Sequence, residues 1–117
     1  MIRQQTEYGT ITIESNVYRN IAGLAASNCF GVKGMAARSR KDGLIYLLRK
    51  ESSNKGVAVT FNEDDSITID LHIMVDHGVN IPVVSASIIN EVSYNVTKST
   101  GTPVKAIRVH VDSIMLD

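Results

Sequence analysis

Residues 57–76 run Val57-Ala-Val-Thr-Phe61, then Asn62-Glu-Asp-Asp65 and Ser66, then Ile67-Thr-Ile-Asp-Leu-His-Ile-Met-Val-Asp76. Val57, Val59 and Phe61 alternate with smaller or polar residues, and Ile67, Ile69, Leu71, Ile73 and Val75 alternate again. Side chains of a strand point to opposite faces in turn, so this period of two predicts a β-hairpin with one apolar face in a core. The Asn62–Asp65 segment makes the turn. The other face carries Thr68, Asp70, His72, Met74 and Asp76.

On the N-terminal side, Gly9-Thr-Ile-Thr-Ile-Glu14 predicts a short half-buried strand. Ser15 and Asn16 are of the type that caps a helix, because their side-chain oxygens accept from first-turn amides. Val17, Ile21, Leu24, Ala25 and Cys29 follow at helical spacing as an apolar stripe, and Gly31 is placed to end the helix. Ala22, Gly23, Ala25 and Ala26 make this helix thin, so a neighbour can approach it closely. Val32 to Ala37 predicts a second strand and Arg38-Ser-Arg-Lys-Asp-Gly43 a basic loop. Leu44, Ile45, Leu47 and Leu48 predict a short helix ending near Arg49-Lys50, with a turn over residues 52–56. Beyond the hairpin, Gly78 breaks the chain. Asn80 caps a third helix with Pro82 in its first turn. Ile81, Val84, Ile88, Val92 and Val96 form its stripe, and Ile89 broadens it. Gly101 and Pro103 end it, and Val104 to Val111 is the last strand, with Ile107, Val109 and Val111 inward. The expected fold is α+β, one domain over residues 1–117, in the order β-α-β-α-β-β-α-β. Its helices pack on one face of a mixed or antiparallel sheet.

The chain has 117 residues, 44% of them hydrophobic, which suffices for one core without disulfides or a structural metal. Twelve basic and twelve acidic side chains give a formal net charge of zero, so any electrostatic partner must be met by a local patch. Cys29 is the only cysteine, which suits a reducing compartment and excludes an internal disulfide. Residues 1–8 lack the apolar core of a secretory signal, and no apolar run approaches the roughly 20 residues of a membrane span. Direct membrane insertion is not expected.

Few residues offer chemistry. Asp70, His72 and His110 fall on outward strand positions and would share a face if their strands were neighbours. Imidazole and carboxylate can ligate zinc, but this spacing is common on solvated sheet faces, and no metal or other cofactor is assigned. Cys29 lies on the apolar stripe and reads as a small buried hydrophobe rather than a nucleophile. No nucleophile-elbow or phosphate-loop motif occurs, and no catalytic residue or small-molecule substrate is assigned. Gly31-Val-Lys-Gly34 has the form of an RNA-binding KH loop, but such a loop lies between two helices and this one leads into a strand. The clearest signal is charge. Lys33, Arg38, Arg40, Lys41, Arg49, Lys50 and Lys55 face only Asp42 and Glu51, whereas Glu63 to Asp76 holds five acids and no Lys or Arg. The basic segment is a candidate interaction patch for a protein partner, or in an alternative reading for nucleic acid. The absence of Trp and the scarcity of aromatics argue against base stacking.

Gly9-Thr-Ile-Thr-Ile, Val17, Ile21-Ala-Gly-Leu-Ala-Ala and Gly31-Val-Lys-Gly-Met35 together resemble the opening of the alkaline shock (Gls-type envelope stress) family. Gly56-Val-Ala-Val, Ile67 to Val75, Gly78 and Ile81-Pro-Val-Val84 resemble its body. Thr100-Gly101, Val104 and Ile107-Arg-Val-His-Val111 resemble its close. The resemblance implies a small non-enzymatic cytoplasmic protein, of a kind found mainly in Gram-positive bacteria, in cell-envelope stress response and homeostasis. It implies action by self-association or by docking to an envelope-associated partner that recruits it to the inner face of the membrane. It supplies no catalytic motif and no binding residues.

Overall fold

The computed structural model describes residues 1–39 and 41–116. The elements are β1 (Ile2–Thr6), β2 (Gly9–Ile13), α1 (Ser15–Ser27), β3 (Val32–Arg38), β4 (Ile45–Leu47), a 3-10 helix (Lys50–Gly56), β5 (Val57–Phe61), β6 (Ile67–Asp76), α2 (Ile81–Thr100) and β7 (Val104–Met115). The expected order of elements stands, with the 3-10 segment as the second helix and short strands added at β1 and β4.

Strand β6 is the axis of the sheet. Strand β7 runs parallel to it from Ile67↔Val104 to Asp76↔Met115 and so occupies one whole edge. The other edge is shared. Strand β5 pairs antiparallel with its first half, Val57↔Leu71 to Phe61↔Ile67, and β3 with its second half, around Met35↔Ile73. Strand β4 extends β3 outward, and β1 with β2 forms a separate two-stranded hairpin. The sheet is therefore mixed, since the β6-α2-β7 crossover makes a parallel pair and the hairpins make antiparallel ones.

The alternation in β6 has its predicted consequence. Ile67, Ile69, Leu71, Ile73 and Val75 are fully buried. They meet Val84, Ile88, Val92 and Val96 of α2, together with Tyr18, Ala22 and Ala26 of α1. Burying such a row of branched side chains contributes about 1.5–3 kcal/mol each. Helix α2 begins as expected, with Asn80 accepting from the Val83 amide at 3.2 Å, and ends at Gly101 in the left-handed region at φ 72°.

Four expectations are corrected. Helix α1 buries Tyr18, Ala22, Gly23 and Ala26, leaving Val17 and Leu24 exposed; Ile21, Ala25 and Cys29 are only partly buried. The small-residue row wins because it lets the helix lie against the 3-10 segment, while Tyr18 sends its ring into the core. Its N-cap position is Glu14, with no side-chain cap bond from Ser15 or Asn16. The predicted helix over residues 44–50 is instead strand β4, antiparallel to β3 through Ala36↔Leu47 and Arg38↔Ile45. Pairing with Ala36–Arg38 gives these residues a ladder for their backbone groups, which one isolated helical turn would leave mostly unpaired. Ile89 does not broaden the α2 stripe and remains exposed.

Candidate functional site

The face of the sheet opposite the helices is open along Thr68, Asp70 and His72 of β6 and Ala106, Arg108 and His110 of β7. The parallel register sets Asp70 beside Arg108 and His72 beside His110. The sharing of a face by Asp70, His72 and His110 is thus realised, and two further residues join them.

Arg108 Nε donates to Asp70 Oδ1 at 2.7 Å and its Nη2 to Oδ2 at 2.9 Å. His110 Nε2 lies 2.9 Å from the same Asp70 Oδ1. His72 Nδ1 lies 3.0 Å from Asp112 Oδ2. The two imidazoles stack, with centroids 4.6 Å apart and planes 13° from parallel. Charge-assisted bonds of this kind favour the ionised carboxylate. The Arg108 guanidinium, and then His110, hold the Asp70 carboxyl down at about 2, and Asp70 in turn raises the Arg108 guanidinium.

This arrangement is a hydrogen-bonded ladder rather than a ligand set. Both Asp70 oxygens are engaged by cationic or imidazole donors. The ring lone pairs of two nearly parallel imidazoles lie in separate planes and do not converge on one ion. Among the described residues, no group of three or more His, Cys, Asp or Glu is arranged to hold a metal ion. A carboxylate held near 2 is also a poor general base at neutral pH.

The ladder borders a cavity of about 300 Å³ lined by Ala36, Ala37, Arg38, Lys55, His72 and Asp112. Its position follows from Gly56. A Cβ there would lie 2.9 Å from Met35 Cβ and 3.2 Å from the His72 carbonyl oxygen, so the 3-10 segment sits tight against β3 and β6 and delivers Lys55 to the open face. Arg38, at the end of β3, is steadied by an Nη1 bond to the Gly43 carbonyl at 2.8 Å.

The basic segment is therefore split. Arg38 and Lys55 come together beside the ladder, whereas Lys33 and Lys50 line a smaller cavity near the end of α1 with Ser27 and Ser53. Lys41 and Arg49 are exposed in connecting segments, and Arg40 lies outside the described residues. Cys29 packs against the core with its thiol 3.4 Å from the Ala25 carbonyl, and burial pushes that thiol up. Gly31-Val-Lys-Gly34 leads from α1 into β3 rather than between helices. Sequence reasoning missed the parts played by Arg108 and Asp112. The signal was the spacing 108, 110, 112 opposite 70 and 72, which becomes readable once the two strands are known to be parallel neighbours.

Comparison with known proteins adds the following. The model of the ASP23 family, described as having a cell envelope-related function, matches residues 3–116. The chain is 37% identical over 114 residues to the uncharacterized protein YloU of Bacillus subtilis, covering 97% of this chain and 94% of that protein. It is 34% identical over 114 residues to the uncharacterized protein Spy1614 of Streptococcus pyogenes serotype M6, covering 97% and 93%. It is 33% identical over 117 residues to the uncharacterized protein YqhY of Bacillus subtilis, covering 100% and 85%. No solved structure matches the chain. Among the described residues, no helix is long and apolar enough to cross a membrane.

Proposed function

The chain belongs to the ASP23 (alkaline shock protein) family, of cell envelope-related function, and we propose that it serves that function as a non-catalytic docking module whose open sheet face receives an acidic surface of an envelope-associated protein. The observation that carries this reading is the placement of Arg38 and Lys55 around the cavity beside the Asp70–Arg108–His110 ladder. The ladder ties its own charges to one another and so forms a firm polar floor. Arg38 and Lys55 lack a carboxylate partner at ion-pair distance among the described residues and supply the net attraction. Exposed cations of this kind set encounter rate and orientation more than raw affinity, and they are screened over about 8 Å at physiological salt.

The non-catalytic part of the reading is supported by the chemistry of the ladder, where Arg108 holds the Asp70 carboxyl down at about 2, which makes it too weak a base to take a proton at neutral pH. The test is affinity capture of the wild-type chain and of the Arg38→Glu, Lys55→Glu double variant from detergent-solubilised envelope fractions. Mass spectrometry then identifies the proteins retained. The reading expects an envelope protein held by the wild type, lost from the variant and released by moderate salt. Equal retention by both forms contradicts it.

A further inference from the structure

Strand β3 leaves β6 after Met35↔Ile73 and turns outward to pair with β4, while β5 takes over the same β6 edge at Val57↔Leu71. The cavity beside the ladder opens where these strands part. The backbone brings a donor to it. Leu48 N–H bonds to the Met35 carbonyl at 2.8 Å and Ser39 N–H to the Leu44 carbonyl at 2.7 Å. Bonded pairs alternate along an antiparallel ladder, so residues 35, 37 and 39 bond to β4 and the backbone groups of Ala36 and Arg38 point the other way. That is the side of the 3-10 segment, where a Cβ at Gly56 would lie 3.1 Å from the Ala36 carbonyl oxygen. Among the described residues β3 has no strand partner on that side at Arg38, so its amide is left to the cavity.

The side chains add charge. Arg38 commits Nη1 to the Gly43 carbonyl, which holds the guanidinium in place and leaves its other donors to a ligand. Lys55 supplies an ammonium from the 3-10 segment, and Ala36 and Ala37 keep the walls small. The cavity's one carboxylate, Asp112, stands at the β7 register shift and is engaged by His72 Nδ1 at 3.0 Å. Two cations thus face one carboxylate that already has a partner.

We propose that this cavity receives a phosphate monoester, borne on a phosphorylated serine or threonine of the protein that docks on the open face. It rests on the docking reading and names the acidic group that the face accepts. A carboxylate presents two oxygens in one plane. A phosphate monoester carries close to two charges at neutral pH and presents three acceptor oxygens around a tetrahedral centre. The donors here are an amide, a guanidinium and an ammonium on two separate elements, an arrangement that three oxygens satisfy and two do not. About 300 Å³ has room for the phosphoryl group and the side chain that carries it. A lipid headgroup has the same chemistry, but a bilayer surface needs apolar side chains beside the cations. Next to the cavity β5, β6 and β7 present Ala58, Thr60, Thr68, Ala106 and the ladder, which suit a polar chain laid across a sheet.

The test has two parts. In the first, the isotope-labelled full chain is titrated at constant ionic strength with four probes. These are an alanine-based peptide carrying one phosphoserine, its glutamate counterpart, inorganic phosphate, and vesicles of phosphatidylcholine with phosphatidic acid. The phosphoserine peptide is expected to shift the amides of Arg38, Lys55 and His72 and to bind about tenfold more tightly than the glutamate peptide. Arg38→Gln and Lys55→Gln are each expected to weaken it about tenfold, and Lys50→Gln, at the other cavity, to leave it unchanged. Equal binding of the two peptides overturns the proposal and leaves the docking reading standing. Inorganic phosphate as tight as the phosphopeptide, or shifts from the vesicles alone, assigns the cavity to a free anion or a lipid headgroup and also overturns it. In the second part, envelope fractions are treated with a protein phosphatase before capture by the wild-type chain. Loss of the retained protein is expected, and unchanged retention overturns the phosphate assignment alone. No envelope protein held from treated or untreated fractions removes the docking reading, and the proposal with it.

Discussion

Arg108 grips both carboxylate oxygens of Asp70 across two parallel strands, its Nε and Nη2 donating at 2.7 and 2.9 Å. A fork-to-fork pair fixes orientation as well as charge, so it pins the relative slide of β6 and β7. Asp70→Asn should therefore destabilise the fold. The guanidinium is 62% exposed, so solvent screens the pair, and the expected loss at neutral pH is about 1 kcal/mol. The pH dependence has a definite sign. The carboxyl sits at about 2 in the folded chain, below its unfolded value of about 3.9. Its contribution is thus complete above about 4 and lost as pH falls through about 2. Urea denaturation of wild type and variant should differ at neutral pH and converge toward pH 2.

A second bond ties the first helix to the last loop. The Tyr18 and Thr102 hydroxyls lie 2.7 Å apart, both groups essentially inaccessible to solvent. Tyr18→Phe keeps the ring and its edge-to-face contact with Phe61, 5.9 Å between centroids, but leaves the Thr102 hydroxyl unpaired. Chemical denaturation should report a loss of about 1–2 kcal/mol. The double variant Tyr18→Phe, Thr102→Val should recover part of it, since removing both partners leaves no orphan.

Helix propensity alone favours Gly23→Ala by about 1 kcal/mol. Packing opposes it. A Cβ at Gly23 would lie 3.0 Å from the Ser53 carbonyl carbon and oxygen, which are backbone atoms of the 3-10 segment and cannot swing aside. The variant should lose about 1–3 kcal/mol in net stability. A gain in melting temperature would show that the 3-10 segment is looser against α1 than its contacts imply.

Ile88 occupies the middle of the α2 stripe and is fully buried. Ile88→Ala should cost about 2–5 kcal/mol, the usual range for emptying a core site. A change below about 0.5 kcal/mol, the scale of surface substitutions, would mean that another α2 face is buried.

Much of the architecture could be read from pattern. The hairpin followed from a period of two that persists through β6, and the bounds of α2 followed from Asn80 and Gly101, whose roles are set by local backbone chemistry. Strand β4 was unreadable because Leu44, Ile45, Leu47 and Leu48 fit a helical turn as well as an edge strand, and only pairing with β3 decides between them. The rotation of α1 was unreadable for a related reason. Hydrophobicity favoured Leu24 and Val17, but the helix is held where close approach is greatest, at Ala22, Gly23 and Ala26. The site was half legible. Asp70, His72 and His110 alternate visibly, yet their meeting depends on the parallel register of β6 and β7, a tertiary fact. The division of the basic segment, with Arg38 and Lys55 on one face and Lys33 and Lys50 on another, depends on how β3 and the 3-10 segment turn.

The docking account is tested most directly by mapping resonances. An isotope-labelled chain would be titrated with the acidic domain of the envelope protein that affinity capture returns. Shifts are predicted to gather on Arg38, Lys55, Ala58, Thr60, His72 and His110, the open face and its rim, and to fade as salt is raised. Shifts confined to exposed helix residues such as Leu24, Val83 and Tyr94, with the open face silent, would contradict it.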